Sequence, residues 1–348
     1  MLAADSDTVT ITSVDLARSF VLIDASTDST TGSSGYQSWG VVGTLTDSTT
    51  LTLQRDGGVA DAEVTWSVVT CDQGEFLVVD GGSFQIGSGD TTNTEIVNEF
   101  DTARTLIIYG SRGNFPTGSS NVGFATCKAN SSTELEVERG TSSTTRTVVH
   151  YQLIEWSLES GVTVANGVHD GTGLLGTSED TSAHGVAGVT LDGTTKVSNC
   201  WLFAQSRHEH NGLEQCSVRA RFDTTNVLFQ RHDHAATTYN SHIAWQLVKF
   251  PVDCCVHRTP SMSSGDTTKD TSLSPVSLDT GATIVWQTNT CNGTGTAFGR
   301  NAWNVQVLDS STIRQKRSYS GQAVYSAVSV CDFSLLDNVS NTFLLDLI

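Results

Sequence analysis

Four stretches of eight residues decide the fold: residues 64–71 (VTWSVVTC), 149–156 (VHYQLIEW), 243–250 (IAWQLVKF) and 323–330 (AVYSAVSV). Each stretch carries a large aromatic residue at its third place, namely Trp66, Tyr151, Trp245 or Tyr325. Short runs in which residues alternate between two faces around such an aromatic are typical of β-strands. The four stretches therefore predict four equivalent strands of a repeated fold, with the aromatic residues in the core.

The rest of each repeat lies upstream of its aromatic stretch. The part nearest to the aromatic stretch is a run that ends in arginine, at residues 51–55 (LTLQR), 135–139 (LEVER), 227–231 (VLFQR) and 313–317 (IRQKR). An apolar run precedes it, at residues 20–23, 106–109, 201–203 and 284–286. Between the two runs lie a polar loop and a second strand, which ends in a turn rich in Asp, Asn and Ser, and such side chains bond to the local backbone. The pattern predicts an all-β chain of tandem antiparallel β-sandwich modules, with four repeats of roughly 85 to 90 residues.

The predicted modules occupy residues 1–92, 93–185, 186–275 and 276–348. Polar, Gly-rich segments mark the joints, for example at residues 87–92 and 171–180. An antiparallel unit with about five or six strands buries one face of a sheet and leaves the other in water. We therefore expect four similar sandwiches in which each aromatic stretch is a central strand.

The charge of the chain restricts its partners. The formal net charge is −18, whereas nucleic-acid binding needs clustered Lys and Arg, so we expect no nucleic-acid partner. No apolar run has the length needed to cross a bilayer, and residues 1–7 (MLAADSD) lack the basic start and apolar core of a signal peptide. A chain of extracellular character without an export signal is released within a particle, exported by another route, or present here in its mature form.

The repeat resembles one seen in bacteriophage structural proteins, especially tail-fibre and appendage proteins. The resemblance rests on residues 19–23 (SFVLI), 49–55 (TTLTLQR) and 66–69 (WSVV). The scheme is also similar to the H-type lectin module, a six-stranded antiparallel sandwich with a tryptophan on a late strand. The first resemblance implies a structural component of an extracellular virus particle, such as a fibre, collar, tail or capsid-decoration protein, that assembles with itself and with other virion proteins. The second implies a glycan-binding lectin or adhesin module, virion-borne or secreted, that binds host surface glycans.

Two His-x-His segments of the third repeat are candidate metal ligands. They contain His208 and His210, and His232 and His234. Alternate side chains of an extended segment point to the same side, and in a meander the two segments lie at the same end of the module. Four imidazoles suit Zn²⁺, Ni²⁺ or Fe²⁺, and His-x-His resembles the iron-binding motif at the tips of some phage spikes, where three chains share one ion. The alternative is two exposed polar loops that contain histidine by chance.

The remaining polar and aromatic candidates have a structural and a functional interpretation. The repeated arginines, Arg55, Arg139, Arg231 and Arg317, either bind an anion or sugar, or hold a strand end by stacking on an aromatic ring or pairing with a turn carboxylate, and we favour the structural role. Trp39 and Trp303, on second strands near loops, are candidate platforms for a sugar ring. Asp24, Asp80 and Glu155 lie in or beside strands, and we expect each at the surface.

Motifs for catalysis are scarce. The chain has no GxSxG elbow, Walker loop or HExxH helix, so we expect no enzyme and no required cofactor, although a spatial pair of carboxylates for glycoside hydrolysis stays open. Eight cysteines permit disulfides, with Cys200 and Cys216 the most local candidate pair and free buried thiols the alternative.

Overall fold

The computed structural model describes residues 5–27, 40–57, 61–71, 74–113, 123–171, 196–208, 218–223, 227–231, 241–274, 276–292, 303–317, 320–321 and 323–336. These residues form an all-β structure, as the sequence predicts, with short 3₁₀ turns at Leu16–Arg18, Val197–Asn199 and Phe333–Leu335. The strands are β1 (Ser6–Thr10), β2 (Ser19–Thr27), β3 (Val42–Asp47), β4 (Thr50–Gln54), β5 (Ala62–Thr70), β6 (Phe76–Ile86), β7 (Thr92–Ile96), β8 (Thr105–Arg112), β9 (Ala125–Ser131), β10 (Glu134–Arg139), β11 (Thr147–Trp156), β12 (Thr163–Gly171), β13 (Cys200–His208), β14 (Val218–Phe222), β15 (Val227–Arg231), β16 (Ser241–Lys249), β17 (Cys255–Arg258), β18 (Ser261–Met262), β19 (Thr268–Ser272), β20 (Thr283–Asn292), β21 (Trp303–Asp309), β22 (Thr312–Arg317) and β23 (Ala323–Asp332).

Strands β6–β11 show the sandwich most completely. One sheet has the order β6-β11-β8 and the other the order β7-β10-β9, with every pair antiparallel. Buried side chains from both sheets, including Phe84 and Tyr151 from the first and Leu135 and Val137 from the second, belong to one core. The predicted antiparallel β-sandwich is therefore confirmed.

The other strands form related sets of sheets. Sheets β2-β5 and β1-β4-β3 share a core, as do β12-β16-β13 and β14-β15, while β17, β18 and β20 flank β23 beside the sheet β19-β22-β21. We call β1–β5, β6–β11, β12–β16 and β17–β23 the first to fourth groups. Strand pairing crosses the predicted module boundaries, because β6, β12 and β19 pair with strands of the following predicted module. The number and limits of the repeats stay a prediction.

The same turn precedes one strand in each group. We call β2, β8, β13 and β20 the opening strands. The side chain at the start of each opening strand donates to a carbonyl four residues earlier: Ser19 to Asp15, Thr105 to Asp101, Cys200 to Lys196 and Thr283 to Asp279. A small hydroxyl or thiol at this place satisfies a carbonyl of the 3₁₀ or related turn. The turn then sets where the opening strand begins and which strand it meets.

Strand register corrects the alignment of the fourth aromatic stretch. Trp66, Tyr151 and Trp245 each pair with the fifth residue of their opening strand, at Ile23, Tyr109 and Ala204. In the fourth group that place belongs to Val328, which pairs with Gln287 and is buried. Tyr325 lies three residues earlier in β23 and is only half-buried, so its predicted equivalence was wrong. The sequence comparison matched Tyr325 to the aromatic residues of the other repeats because it is the tyrosine nearest to that place in β23.

Close approach to glycine explains how two of the aromatic rings fit. Trp245 lies opposite Gly167, where an added Cβ would come within 2.7 Å of the indole ring. Tyr151 lies opposite Gly82, where an added Cβ would lie 3.3 Å from the phenol oxygen. A side chain at either glycine would occupy space that the ring fills.

Of the strands that carry the aromatic stretches (the aromatic strands β5, β11, β16 and β23), β16 is buried on both faces, which corrects the expectation of one wet face for this stretch. In β16, Trp245 and Leu247 face the core of the third group, while Gln246 and Val248 on the opposite face are also buried. The residues at or just after the ends of the aromatic strands, Cys71, Trp156, Phe250 and Phe333, belong to one cluster with ring centroids 5.5–6.3 Å apart among the last three. The groups therefore share a common core and are packed against one another.

Polar contacts join successive groups. The side-chain amide of Gln152 bonds to the backbone N–H and C=O of Val21, and Gln246 does the same to Ile107. Each glutamine thereby satisfies the free edge of a preceding opening strand. Thr288 bonds to the backbone of Ala220 in the same way between the third and fourth groups.

The last group also contacts the first. Lys316 pairs with Glu63 at 2.8 Å, and the side-chain amide of Asn304 donates to the Glu63 carbonyl. The chain of contacts from the first group to the fourth therefore closes on itself. A disulfide between Cys255 and Cys331 joins β17 to β23. The predicted Cys200–Cys216 pair stays a prediction, because Cys216 lies outside the described residues.

Candidate functional site

A central cavity of about 560 Å³ lies where the four groups meet. The same part of each opening strand forms its wall, through residues 21–25 in part and residues 108–111, 204–206 and 286–289. Apolar side chains such as Val21, Ile108 and Ala204 alternate there with polar ones such as Gln205 and Asn289. A mixed wall of this kind, concave and built from rigid strands, is the usual setting for a small polar ligand.

Asp24 is the acidic group of the cavity, and its position corrects the expectation of a surface carboxylate. Its Oδ2 accepts hydrogen bonds from Gln287 Nε2 at 2.8 Å and from the Val305 backbone N–H at 3.2 Å. Burial raises the pKa of Asp24 to about 7, and the hydrogen bonds offset part of that rise. The side chain keeps partial solvent access, which we attribute to the cavity that it lines.

Asp24 also holds the first group against the fourth. Both donors, Gln287 and Val305, belong to the fourth group, whereas Asp24 lies on β2. Gln287 Oε1 in turn accepts from Gln315 Nε2 at 3.1 Å. The carboxyl therefore has a structural role at the closing contact and faces the cavity as a hydrogen-bonding group.

His150 also lines the cavity. Its Nε2 lies 3.1 Å from Arg112 Nε, which donates to it. Burial, and then the positive charge of Arg112, lower the pKa of His150 to about 4, so the ring is neutral near pH 7.

The other two predicted surface carboxylates are partly exposed: Asp80 accepts from Gly81 and Asn98, and Glu155 pairs with Arg104.

Two of the arginines that end the arginine runs, Arg139 and Arg317, stabilise turns. Arg139 is buried and donates to the backbone carbonyls of Gly87, Asp90 and Thr145. Arg317 is buried and donates to the carbonyls of Ser263 and Asp266. These donors bind main-chain oxygens, so the structural interpretation holds with carbonyls in place of the expected aromatic ring or carboxylate. Arg55 is buried too, and the side chain of Arg231 lies outside the described part.

The histidine site falls mostly outside the described residues. His208 is the last residue of β13, and its backbone pairs with Ser241 at the start of β16. His210, His232 and His234 lie in the undescribed segments that follow β13 and β15. Among the described residues, no group of three or more His, Cys, Asp and Glu is placed to hold a metal ion. The metal site therefore stays a prediction.

The two candidate tryptophans are close in sequence to residues that line the cavity or bind its carboxyl group. Trp39 is outside the described residues and directly precedes Gly40, which lines the cavity. Trp303 begins β21, where its backbone pairs with Arg317. It lies two residues before Val305, whose N–H donates to Asp24. The structure describes neither side chain, so their role as sugar platforms stays a prediction.

Sequence reasoning missed the residues that join the groups. Gln152 and Gln246 occupy the same place in their aromatic stretches, directly after the aromatic residue. A long amide at a repeated place in an otherwise apolar strand was the available signal for a buried hydrogen bond. Asp24 had a weaker signal, since a single carboxylate within an apolar strand appears in one repeat alone.

No model of a protein family matches the chain, and no curated protein does so either. Among the described residues, no helix is long and apolar enough to cross a membrane.

Proposed function

We propose that this chain is a structural component of a virus particle, of the kind that builds bacteriophage fibres, collars, tails or capsid decorations. Three exposed edge strands carry the proposal. In β1, β7 and β19, four of the five residues are exposed, and each strand pairs on one side only among the described strands. An unpaired edge offers backbone N–H and C=O groups to a strand of another chain.

The common core supports the same proposal. Because the groups share one hydrophobic cluster and are joined by hydrogen bonds, the edges are held at fixed relative positions. A rigid block with several equivalent edges assembles with copies of itself or with neighbouring particle proteins. This function needs no catalytic step and no cofactor, and its partners are the chain itself and other virion proteins.

One proline substitution tests the role of an edge. The N–H of Val97 donates to Thr133 and that of Arg139 to Thr91, so odd-numbered residues of β7 face β10 and the N–H of Thr94 faces outward. Thr94→Pro removes one outward donor and spares the ladder with β10. We expect self-association or co-assembly with other particle proteins to weaken, whereas Thr94→Ala, which keeps the donor, leaves it unchanged.

Light scattering coupled to size exclusion measures the assembly, at tens of micromolar full-length chain. Equal assembly of Thr94→Pro and Thr94→Ala would exclude the β7 edge. A wild-type chain that stays a 37.1 kDa monomer, alone and with other particle proteins, would contradict the proposed function.

The central cavity favours a second candidate, a glycan-binding module. Its wall presents a carboxyl at Asp24 and amides at Gln205 and Asn289 beside apolar surface, a combination that suits the hydroxyl groups and C–H faces of a sugar. A glycan array tests this with wild type and Asp24→Asn. Binding that wild type shows and the variant loses supports a host-glycan partner, and no binding by wild type contradicts it.

A further inference from the structure

A second cleft, of about 670 Å³, lies between the first and second groups and concentrates positive charge. Its wall includes Arg55 directly after β4, Arg112 at the end of β8, and Arg146 directly before β11. The acidic residues of the wall are Asp5 and Asp56. In a chain with net charge −18, a wall with more arginines than carboxylates is a local reversal of sign.

Arg112 is held in place before any ligand arrives. Its Nη1 forms an ion pair with Asp56, and its Nε donates to His150 Nε2 at 3.1 Å. The side chain is 19% exposed and lines the cleft. A fixed, partly desolvated guanidinium loses little conformational freedom when it binds an anion.

Arg146 brings a second guanidinium to the same cleft. It is exposed and lies close enough for its charge to disfavour the charged form of Arg112, whose pKa is lowered first by burial and then by Arg146. The repulsion between two nearby positive charges decreases when an anion lies between them. Asp56 neutralises part of the positive charge of Arg112. Arg146 adds a second positive charge to the cleft.

We propose that this cleft binds an oxyanion, the carboxylate, sulfate or phosphate group of an acidic ligand, between Arg112 and Arg146. Planar guanidinium groups match such anions through paired, charge-assisted hydrogen bonds. The proposal is independent of the proposed assembly function and of the central cavity. The acidic group comes either from a saccharide or from a free inorganic ion, and the choice of probe distinguishes these sources.

The test titrates the full chain with potassium phosphate and with potassium glucuronate at constant ionic strength. The arginine Nε–Hε resonances are followed by NMR. Saturable shifts of the Arg112 and Arg146 signals are expected, and Arg146→Gln should weaken the affinity by about tenfold. Arg146 is exposed, so its replacement leaves the fold intact. Arg314→Gln is the control, because Arg314 pairs with Asp270 on β19 and should leave the titration unchanged.

Tighter binding of glucuronate identifies an acidic saccharide as the ligand, and tighter binding of phosphate identifies an inorganic or phosphorylated one. Shifts that grow linearly without saturation for both probes would overturn the proposal. The same affinity in Arg146→Gln as in wild type would overturn it as well.

Discussion

At the scale of single residues, two aromatic side chains pack over glycines of the neighbouring strand. Trp245 covers Gly167 and Tyr151 covers Gly82, so the bulky and the minimal side chain occur together. The fourth group has neither feature at the corresponding place: Val328 replaces the ring, and Arg258 pairs with it. In the second and third groups the glycine therefore leaves the space that the ring fills.

Trp245→Ala should lower the free energy of unfolding by roughly 3–5 kcal/mol, because it leaves a cavity in a core that cannot collapse fully. Tyr325→Ala is the matched control. Tyr325 is half-buried and outside the aromatic position, so its replacement should cost clearly less. Urea titration of both variants measures the difference. A loss below about 1 kcal/mol for Trp245→Ala would show that the indole does not belong to the core.

Buried arginines show a different logic at the same scale. Arg139 is 1% exposed. Its guanidinium donates hydrogen bonds to carbonyls of the turn between β6 and β7, in the place that water would otherwise take. Arg317 does the same for the turn between β18 and β19. The recurrence of arginine at strand ends therefore follows from the hydrogen-bonding needs of a turn, and the sequence pattern alone did not distinguish this from a ligand site.

At the scale of elements, the strands are defined by local sequence and their partners by turns. Asp47, Ser131 and Asp309 each accept a hydrogen bond from the backbone two residues later, as predicted for the turns before the arginine runs. These turns set the hairpins β3–β4, β9–β10 and β21–β22. In the same sheets β1, β7 and β19 have one neighbour each among the described strands, and these are the edges at which we propose that another chain pairs.

The disulfide adds stability at this scale by tying β17 to β23. Cys255 and Cys331 are 76 residues apart, and closing a loop of that length in the unfolded chain contributes about 4 kcal/mol. Cys255→Ala/Cys331→Ala should lower the thermal midpoint, and a reducing agent should lower that of wild type to a similar value. The same agent should leave the double variant unchanged. A wild-type midpoint that is insensitive to reduction would contradict this contribution.

For the whole molecule, closure of the first group against the fourth depends on a carboxyl that titrates near neutral pH. The folded pKa of Asp24 is about 7, above its ordinary value of 3.8. Its protonated form is therefore favoured by folding, and this stability is fully present below pH 3.8 and is lost as pH rises through 7. Above that range both states are ionised and the dependence levels off.

Asp24→Asn should remove this dependence, so the variant should gain stability relative to wild type as pH rises from about 4 to 8. The difference between the two proteins is the quantity to measure, by urea titration at several pH values. His150, with a folded pKa of about 4, acts in the opposite direction, and the charges of Glu63 and Lys316 lie at the same contact. These groups are common to both proteins and cancel in the difference. A difference that does not change with pH would refute the role of Asp24.

The amino-acid sequence by itself determined the strands, the turns between them, the antiparallel sandwich and the burial of Trp66, Tyr151 and Trp245. These features depend on residues close together in the chain, through alternation, turn chemistry and the size of a side chain. The sequence was misleading at Tyr325, which lies three residues before the structurally equivalent Val328, because strand register is a property of the paired strand.

Only the tertiary structure decided what covers the second face of the aromatic strands and where Asp24 lies. Gln246 meets Ile107, which is 139 residues away, and Asp24 meets Gln287 across 263 residues. Alternation shows that a strand has two faces, but a face turned to water and a face turned to another group look alike when a few polar residues are present. The difference lies in the hydrogen bonds and apolar contacts made by distant residues, and these exist only once the groups have packed together.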